Sequence, residues 1–453
     1  MQQVKRAQNP TQNQLERFTE AIESGRFASI IQMLNSLKPQ DIAHLIQSSP
    51  PKIRQMIWHF LDQQYEGEVL QYLSEDIQTD FLEKMDVGQV IAITEGFESD
   101  DLADILQNLP EKIIHEVMDS MSEQNLSRLE QVINYPEDCA GGLMSTDIVT
   151  IRASITLDVV ARYLRQFEAL PEATDSLFVV NRKGEFVGIL PLATILVSTP
   201  SMTVREVMLT NANTVPVDMK QKDVSLLFTR NDWVSAPVIS NQGLLLGRIT
   251  IDDVVDVIRE EADHNILSMA GLSDEEDTFA TVTKTAPKRN TWLAINLATA
   301  ILASLVIKIF ESTIEQVVAV AVLMPIVASM GGIAGSQTLT VVIRGISLRQ
   351  IGKNNFIWLF KRELIVGIAN GLIWSSLVGI ATYLLYHDIR LSMIIACAMM
   401  INLIMAATIA TLLPSILKSL SIDPALAGSV ILTTFTDIIG FFTFLGLASW
   451  LFL

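Results

Sequence analysis

In the apolar run from Ala425 to Leu453, long enough to span a bilayer, one ionisable residue remains: Asp437, within Thr433-Thr434-Phe435-Thr436-Asp437-Ile438-Ile439-Gly440. A carboxylate at membrane depth costs several kcal/mol unless it faces water, a partner or an ion. Asp437 therefore reads as a cation site in a pore, with an interhelical hydrogen bond as the structural alternative. Two further places set oxygen ligands at element junctions. Thr250 and Asp253, in Gly247-Arg248-Ile249-Thr250-Ile251-Asp252-Asp253, stand where a strand gives way to a helix. A hydroxyl and a carboxylate there can hold ribose hydroxyls or cap the helix N-terminus. Asp423, in Ser421-Ile422-Asp423-Pro424, reads as an N-cap before a proline at the first helical position or as a cation ligand, and one carboxylate can do both. No set of nucleophile, base and orienting group stands out, and no Gly-x-x-x-x-Gly-Lys-Ser/Thr phosphate loop occurs. The chain is not expected to be an enzyme.

The elements that must position these residues belong to two chemistries. Of the 50 acidic residues in 453, only Glu311, Glu315, Glu363, Asp388, Asp423 and Asp437 lie after Thr283, a tail that carries 11 of the 32 Lys and Arg. The first part, with 44 acidic against 21 basic residues, has a net charge of −23, and the tail one of +5. A soluble acidic half is fused to a membrane half. Acidic excess argues against nucleic acid as a partner; surplus carboxylates on a folded domain can bind hard divalent cations or simply keep its surface soluble. Cys139 and Cys397 lie in different halves and give neither a disulfide framework nor metal-ligand spacing. Met1 to Pro10 is polar, without the apolar core of a signal peptide, so the soluble half is expected to stay in the cytoplasm.

Five apolar segments follow, at about 290 to 310, 316 to 343, 364 to 386, 391 to 417 and 425 to 452, each near the roughly 20 residues a helix needs to cross a bilayer. Lys284, Lys288 and Arg289 precede the first, Arg344, Arg349, Lys353, Lys361 and Arg362 separate the second from the third, and Lys418 separates the fourth from the fifth. The positive-inside rule then puts the N-terminus inside and the C-terminus outside. In the second segment Pro325, Gly331-Gly332 and Gly335 predict either a broken helix whose carbonyls line a cavity or a face on which helices pack closely. For Gly367 and Gly371 in the third, close packing is the reading.

Before the membrane lie two soluble modules. From about Gln14 to Tyr135 the period is helical and contains an echo: Asp41 to Ile53 against Asp101 to Ile113, matched or conservative at nine of thirteen positions. Such a repeat predicts stacked helical hairpins in a small solenoid. His44, His59 and His115 sit in these helices without ligand spacing. Between Val149 and Ile258 strands alternate with helices, again duplicated: Ser176 to Ile189 matches Ala236 to Ile249 as strand, turn, strand, with Gly184 and Gly243 suited to positive φ.

The duplicated unit resembles a pair of cystathionine-β-synthase (CBS) domains, regulatory modules that often bind adenine nucleotides. Thr250 and Asp253 match the family's ribose-binding Gly-x-x-Thr-x-x-Asp, whereas the first copy has Pro191 and Thr194 there, so at most one nucleotide site per chain is implied. Over essentially its whole length the chain resembles the MgtE family of magnesium channels, through the helical N-domain, Glu137-Asp138-Cys139-Ala140-Gly141-Gly142-Leu143-Met144, the paired modules, and spans that include Asp423-Pro424-Ala425 and Thr433 to Gly440. The resemblance implies a multidomain integral membrane protein. Its expected parts are an all-α N-domain at 1–135, an α/β tandem CBS pair at 136–262, a connecting plug helix at 263–285 (about Asp263 to Thr283) and a five-helix transmembrane domain at 286–453. It implies a homodimer in the plasma membrane with Asp437 of both protomers contacting hydrated Mg²⁺ in a central pore, and ATP or another adenine nucleotide as a regulator. Mg²⁺ prefers oxygen ligands and dehydrates reluctantly, which suits opposed carboxylates. The family's sensing carboxylates map onto Asp100, Asp104, Asp253, Asp256, Glu261 and Asp423; Lys220, Lys222, His264 and Asn265 occupy positions where carboxylates are expected, and Ile333 stands where the family has Asn. The resulting expectation is a Mg²⁺ importer driven by membrane potential and closed by cytosolic Mg²⁺. An ion-coupled divalent-cation exchanger and a membrane-bound adenine-nucleotide sensor are the alternatives.

Overall fold

The structure, a computed structural model, describes residues 18, 21, 27–94, 97, 99–107, 109, 111–121, 123–167, 169–171, 173–272 and 277–452. The chain separates into two units, Met1–Glu261 with Asp277–Thr281, and Ala262–Glu276 with Val282–Leu453.

The first unit opens with short amphipathic helices: α1 (Phe27–Leu34), α2 (Pro39–Gln47), α3 (Pro51–His59), α4 (Gln63–Gln71), α5 (Glu75–Leu82), α6 (Val87–Thr94), α7 (Ser99–Gln107), α8 (Glu111–Ser120) and α9 (Glu123–Val132). From α4 on, helices pack on those two places away, α2 on α4, α4 on α6 and α6 on α8 in one layer, α5 on α7 and α7 on α9 in the other. This is the solenoid that the repeat predicts, and the echoed segments fall on corresponding junctions, α2 to α3 and α7 to α8. Proline marks the turns because it fits the first helical turn, whose N–H has no intrahelical acceptor: Pro39 and Pro51 each stand at a helix start.

The α/β part holds two three-stranded sheets of the same order. Strands β1 (Thr150–Ile151), β2 (Ser176–Val180) and β3 (Phe186–Pro191) form the first; β4 (Val215–Pro216), β5 (Ser235–Ile239) and β6 (Leu245–Thr250) form the second. In each, the first strand runs parallel to the second and the second antiparallel to the third. Gly184 and Gly243 turn the two hairpins at φ 83° and 81°, as their sequence context predicts. The copies meet through those turns, with Phe186 N donating to Gly243 O at 2.9 Å and Leu245 N to Gly184 O at 3.1 Å. Helices α10 (Leu157–Leu164), α11 (Leu192–Val197), α12 (Val204–Val207), α13 (Gln221–Asn231) and α14 (Ile251–Met269) complete the pair. Their cores differ. That of the second copy, with Val238, Ile249 and Val254, is continuous through Ala140 and Met144 with the solenoid core, while the first copy closes its own around Leu177, Val179 and Leu190. The Cys139-Ala140-Gly141 segment makes this join, Ala140 N donating to Met219 O at 2.7 Å and Gly141 N to Val217 O at 2.9 Å.

The second unit contains five helices long and apolar enough to cross a membrane: α15 (Val282–Ile309), α17 (Val318–Ser347), α18 (Phe356–Tyr386), α19 (Ile389–Ser419) and α20 (Pro424–Phe452), with the short α16 (Glu311–Gln316) after the first. Among the described residues, α14 continues from the CBS pair to Met269, Gly271 follows at φ 73°, and α15 starts at Val282, in the stretch where the connecting helix at 263–285 is expected. Of the two readings of the second span, the packing one holds, since α17 runs unbroken through Pro325 and its glycines. Those glycines serve packing. A Cβ on Gly335 would come within 3.0 Å of Leu432, and one on Gly331 would collide with the Asn402 amide. On α18 the buried stripe Gly367, Gly371, Ser375 and Gly379 lets α19 approach closely, as the small-xxx-small spacing predicts.

Candidate cation groove and cytosolic carboxylates

Asp437 opens into a groove of about 810 Å³ along α17 and α20, shared with Ser329, Ile333, Ser336, Gln337, Thr340 and Thr433. Among the described residues it forms no hydrogen bond or ion pair with its own chain, so the interhelical bond considered from sequence is not made. The neighbouring hydroxyls are already committed as donors to their own helices, Thr340 to Ser336 O at 2.9 Å and Thr433 to Ser429 O at 3.0 Å. Their lone pairs remain for a cation or its water shell. Ile333, where the family has Asn, lines the same groove at 55% exposure and contributes no oxygen.

The groove is held from behind by a residue that the sequence reading passed over. Asn402 of α19 is fully buried, and its Nδ2 donates to Val327 O of α17 at 2.8 Å. Its Oδ1 has no partner among the described residues. Gly331 and Gly440 make room for it; a Cβ on Gly440 would come within 2.8 Å of Nδ2. As the one amide in an apolar run from Leu391 to Leu417, it was a visible signal. Asp423 does cap α20, its Oδ1 accepting from Ala425 N at 2.9 Å, and its other oxygen, Oδ2, meets His264 Nε2 at 2.8 Å. His264, in a carboxylate's expected position, thus brings a donor where a metal ligand would stand.

In the first unit the carboxylates gather around the start of α14. Thr250 Oγ1 donates to Asp253 Oδ2 at 2.7 Å and Thr250 N to the same oxygen at 3.3 Å, so the Asp253 carboxylate reaches back to the residue before α14. Burial pushes the Asp253 carboxyl up to about 7; the charges of Asp252 and Asp101 add to the rise, and the Thr250 bonds oppose it. Asp256 is raised by burial, with Arg259 countering and Asp252 reinforcing. Glu260 is raised by burial, then by Glu75 and Asp256. Like charges from solenoid helices α5 and α7 thus face those of α14. Asp101, Glu75, Asp252 and Glu260 were not among the sequence-derived candidates, because facing across two domains leaves no local pattern. The side chains of Asp100 and Asp104, which were, lie outside the described residues. Glu261 is taken by Lys222 in a direct ion pair, and Lys220 Nζ pairs with Asp138 Oδ2 at 3.2 Å. Among the described residues no three His, Cys, Asp or Glu side chains converge to ligate one ion directly.

A long-range clamp also escaped the sequence. Arg54 on α3 is buried and holds Asp277 with two bonds of 2.6 and 2.8 Å, while its other donors reach Ile46 O and Gln47 O. Partners 223 residues apart share no spacing rule.

An acidic solenoid, a paired α/β module and five apolar helices around a carboxylate-bearing groove define a multi-pass membrane protein equipped to handle cations. Residues 324–447 match a family described as divalent cation transporter, MgtE; residues 37–138 match the MgtE intracellular N domain, and residues 140–198 and 204–260 match CBS domains. The magnesium transporter MgtE of Bacillus subtilis is 28% identical over 429 residues, covering 94% of this chain and 95% of that protein. That of Thermus thermophilus is 29% identical over 434 residues, covering 95% and 96%. Among solved structures, the cytosolic domain of the Mg²⁺ channel MgtE in complex with ATP aligns at 30% identity over 54% of this chain and 99% of that one, with a TM-score of 0.49. The chain belongs to the MgtE family of magnesium transporters.

Proposed function

We propose that the chain is a channel-like Mg²⁺ importer in which Asp437 contacts the hydrated ion and a second copy completes the pathway. The observation that carries this reading is a carboxylate at transmembrane depth with no partner among its own chain's described residues, facing a groove of committed hydroxyls. An uncompensated charge there is costly in one chain. Two such faces opposed, each with one carboxylate, suit a divalent ion that keeps most of its waters. The plasma membrane supplies the drive: a divalent ion moving inward gains about 4.6 kcal/mol per 100 mV, twice the single-charge value. The N-terminus lies in the cytoplasm in this reading, where the positive flanks of the spans belong.

Regulation follows from the facing carboxylates. Asp101 against Asp253 and Glu75 against Glu260 repel, and cytosolic Mg²⁺ relieves that repulsion through its water shell, favouring the closed arrangement. Lys220 and Lys222 already neutralise Asp138 and Glu261, so part of the closure needs no metal. An adenine nucleotide could donate its ribose hydroxyls to Asp253 Oδ1 and to the Thr250 hydroxyl oxygen, which the Thr250–Asp253 bonds leave open.

Mg²⁺ flux into proteoliposomes under an imposed potential tests the reading. Uptake that scales with the potential, without a counter-ion gradient, is the expected result. Flux that requires a counter-ion gradient would make the chain an exchanger; nucleotide binding with no flux would make it a sensor.

A further inference from the structure

The groove exists only while α17 keeps one rotation about its axis. Ser329, Ser336, Gln337 and Thr340 then face Asp437, and Gly331, Gly335 and Thr338 face the bundle. The small residues on the packed side seat Asn402 at Gly331 and Leu432 at Gly335, close against the first two-thirds of the helix. The Asn402 bond ends on a backbone carbonyl, which points along the helix and registers translation more than rotation. Among the described residues one hydrogen bond between side chains ties the C-terminal half of α17 to another helix, α18. Thr338 Oγ1 donates to Glu363 Oε2 of α18 at 3.3 Å, with Thr338 and Glu363 only 7% and 6% exposed. The other Glu363 oxygen accepts from Arg362 Nη1 at 2.9 Å, so the buried carboxylate is compensated on both sides.

We infer that Glu363 is a positioning residue for the cation pathway: by holding Thr338 it fixes the rotation that turns Ser336, Gln337 and Thr340 into the groove with Asp437. This rests on the reading of that groove as the pathway. A buried carboxylate in a membrane helix is costly and marks function when it is kept. Here it never reaches the groove lining, so its contribution passes through Thr338, the immediate neighbour of Gln337.

The test uses the full chain with exposed Cys397 replaced by Ser, Cys139 being buried. A cysteine is placed either at groove-lining Ser336 or at buried Leu339, and its reaction with a water-soluble thiol reagent is timed. In the parent chain Ser336→Cys reacts and Leu339→Cys does not. Glu363→Ala and Thr338→Val should lower the ratio of the two rates by about 2- to 30-fold, the range over which substitutions in packed networks shift a two-state population. Mg²⁺ flux should fall with it. Glu363→Gln keeps an acceptor and Thr338→Ser keeps the donor, so both should stay near the parent, which a loss of general stability would not explain. If Glu363→Ala fails to fold, the near-isosteric Thr338→Val carries the test. An unchanged ratio in folded Thr338→Val overturns the inference. A lowered ratio with unchanged flux would instead remove the groove from the pathway.

Discussion

Acidic side chains do opposite things in the two units. In the membrane unit one carboxylate, Asp437, faces a groove without a partner among the described residues, and the chain around it offers hydroxyl lone pairs. In the first unit carboxylates crowd one another, and several are already answered from within the chain: Asp253 by Thr250, Glu261 by Lys222, Asp138 by Lys220. The contrast separates a place for an ion from a place where an ion adjusts a balance. A single uncompensated charge in low dielectric calls for one counter-charge and tolerates no substitute, whereas a crowd of facing carboxylates, even one partly buried, can be relieved by Mg²⁺, by lysine, by protons or by salt. The expected effects of mutation should scale accordingly.

The largest effect belongs to Asp437. Asp437→Ala should bring Mg²⁺ uptake to the background of empty liposomes with the protein still folded, because loss of an intramembrane charge need not destabilise its helix. Asp437→Asn keeps the shape and should fall between the two. Uptake at the parent rate in Asp437→Ala would erase the contrast at its stronger end.

Next comes the lysine pair. Lys220→Asp with Lys222→Glu returns carboxylates to the cluster and removes the lysine partners of Asp138 and Glu261. Protection of residues 270–281 from protease should then vanish without Mg²⁺, and its rise with Mg²⁺ should become steeper by a few-fold. The parent, by comparison, should show shallow Mg²⁺ dependence and stronger sensitivity to ionic strength. An unchanged titration would mean that these lysines do not shape closure.

A smaller effect concerns pH. The folded Asp253 carboxyl titrates at about 7, above its ordinary 3.8, so the folded state holds the proton more tightly than the unfolded one. Stability from this group is therefore full below pH 4 and is lost as pH rises from about 4 to 7, at no more than about 1.4 kcal/mol per unit of displacement. The melting temperature of the cytosolic transition should drop by several degrees between pH 5 and pH 8. Asp253→Asn keeps an acceptor for Thr250 and should flatten much of that drop, the remainder coming from Asp256 and Glu260, which are shifted in the same direction. A pH profile identical to the parent's would show that Asp253 is solvated in solution.

The smallest effect is at Asp138. Both members of its pair with Lys220 are largely exposed, and such pairs contribute about 0 to 1 kcal/mol. Asp138→Asn should shift the melting temperature by no more than a couple of degrees, and high salt should abolish even that. A larger loss would move this pair out of the screened class.

Much of this architecture is legible in the chain because its signals are local or periodic. Hydropathy gives the five spans, the echo of Asp41 in Asp101 gives the solenoid, and paired glycine turns give the two sheets. The Thr250 and Asp253 spacing is equally local, and the structure brings the two side chains into a hydrogen bond at the start of α14. What escaped lies across long separations. Arg54 has no neighbour in sequence that announces Asp277, and Glu75 and Glu260 come together only when the solenoid docks on the second CBS copy. The continuity of α17 through Pro325 also needed the fold: proline withholds one donor, from the Ala321 carbonyl, and the packed bundle carries the helix through it. Asn402 and Glu363 were single polar letters in apolar text, and their roles follow from the glycine and the threonine they meet on other helices.

The two CBS copies, near-duplicates in sequence and in strand order, stand in different relations to the rest of their unit. The second shares its interior with the solenoid, so a cavity at Val238 or Ile249 would weaken both bodies at once, and their unfolding should be one transition. The first keeps a private interior, and a cavity at Leu177 or Leu190 should let that copy melt early while its twin holds. The halves are alike in order, but cooperativity treats them as unlike: one is part of the wall, the other a leaf set against it, joined at the hairpin turns and at Ser235–Asp175 and Arg248–Thr174.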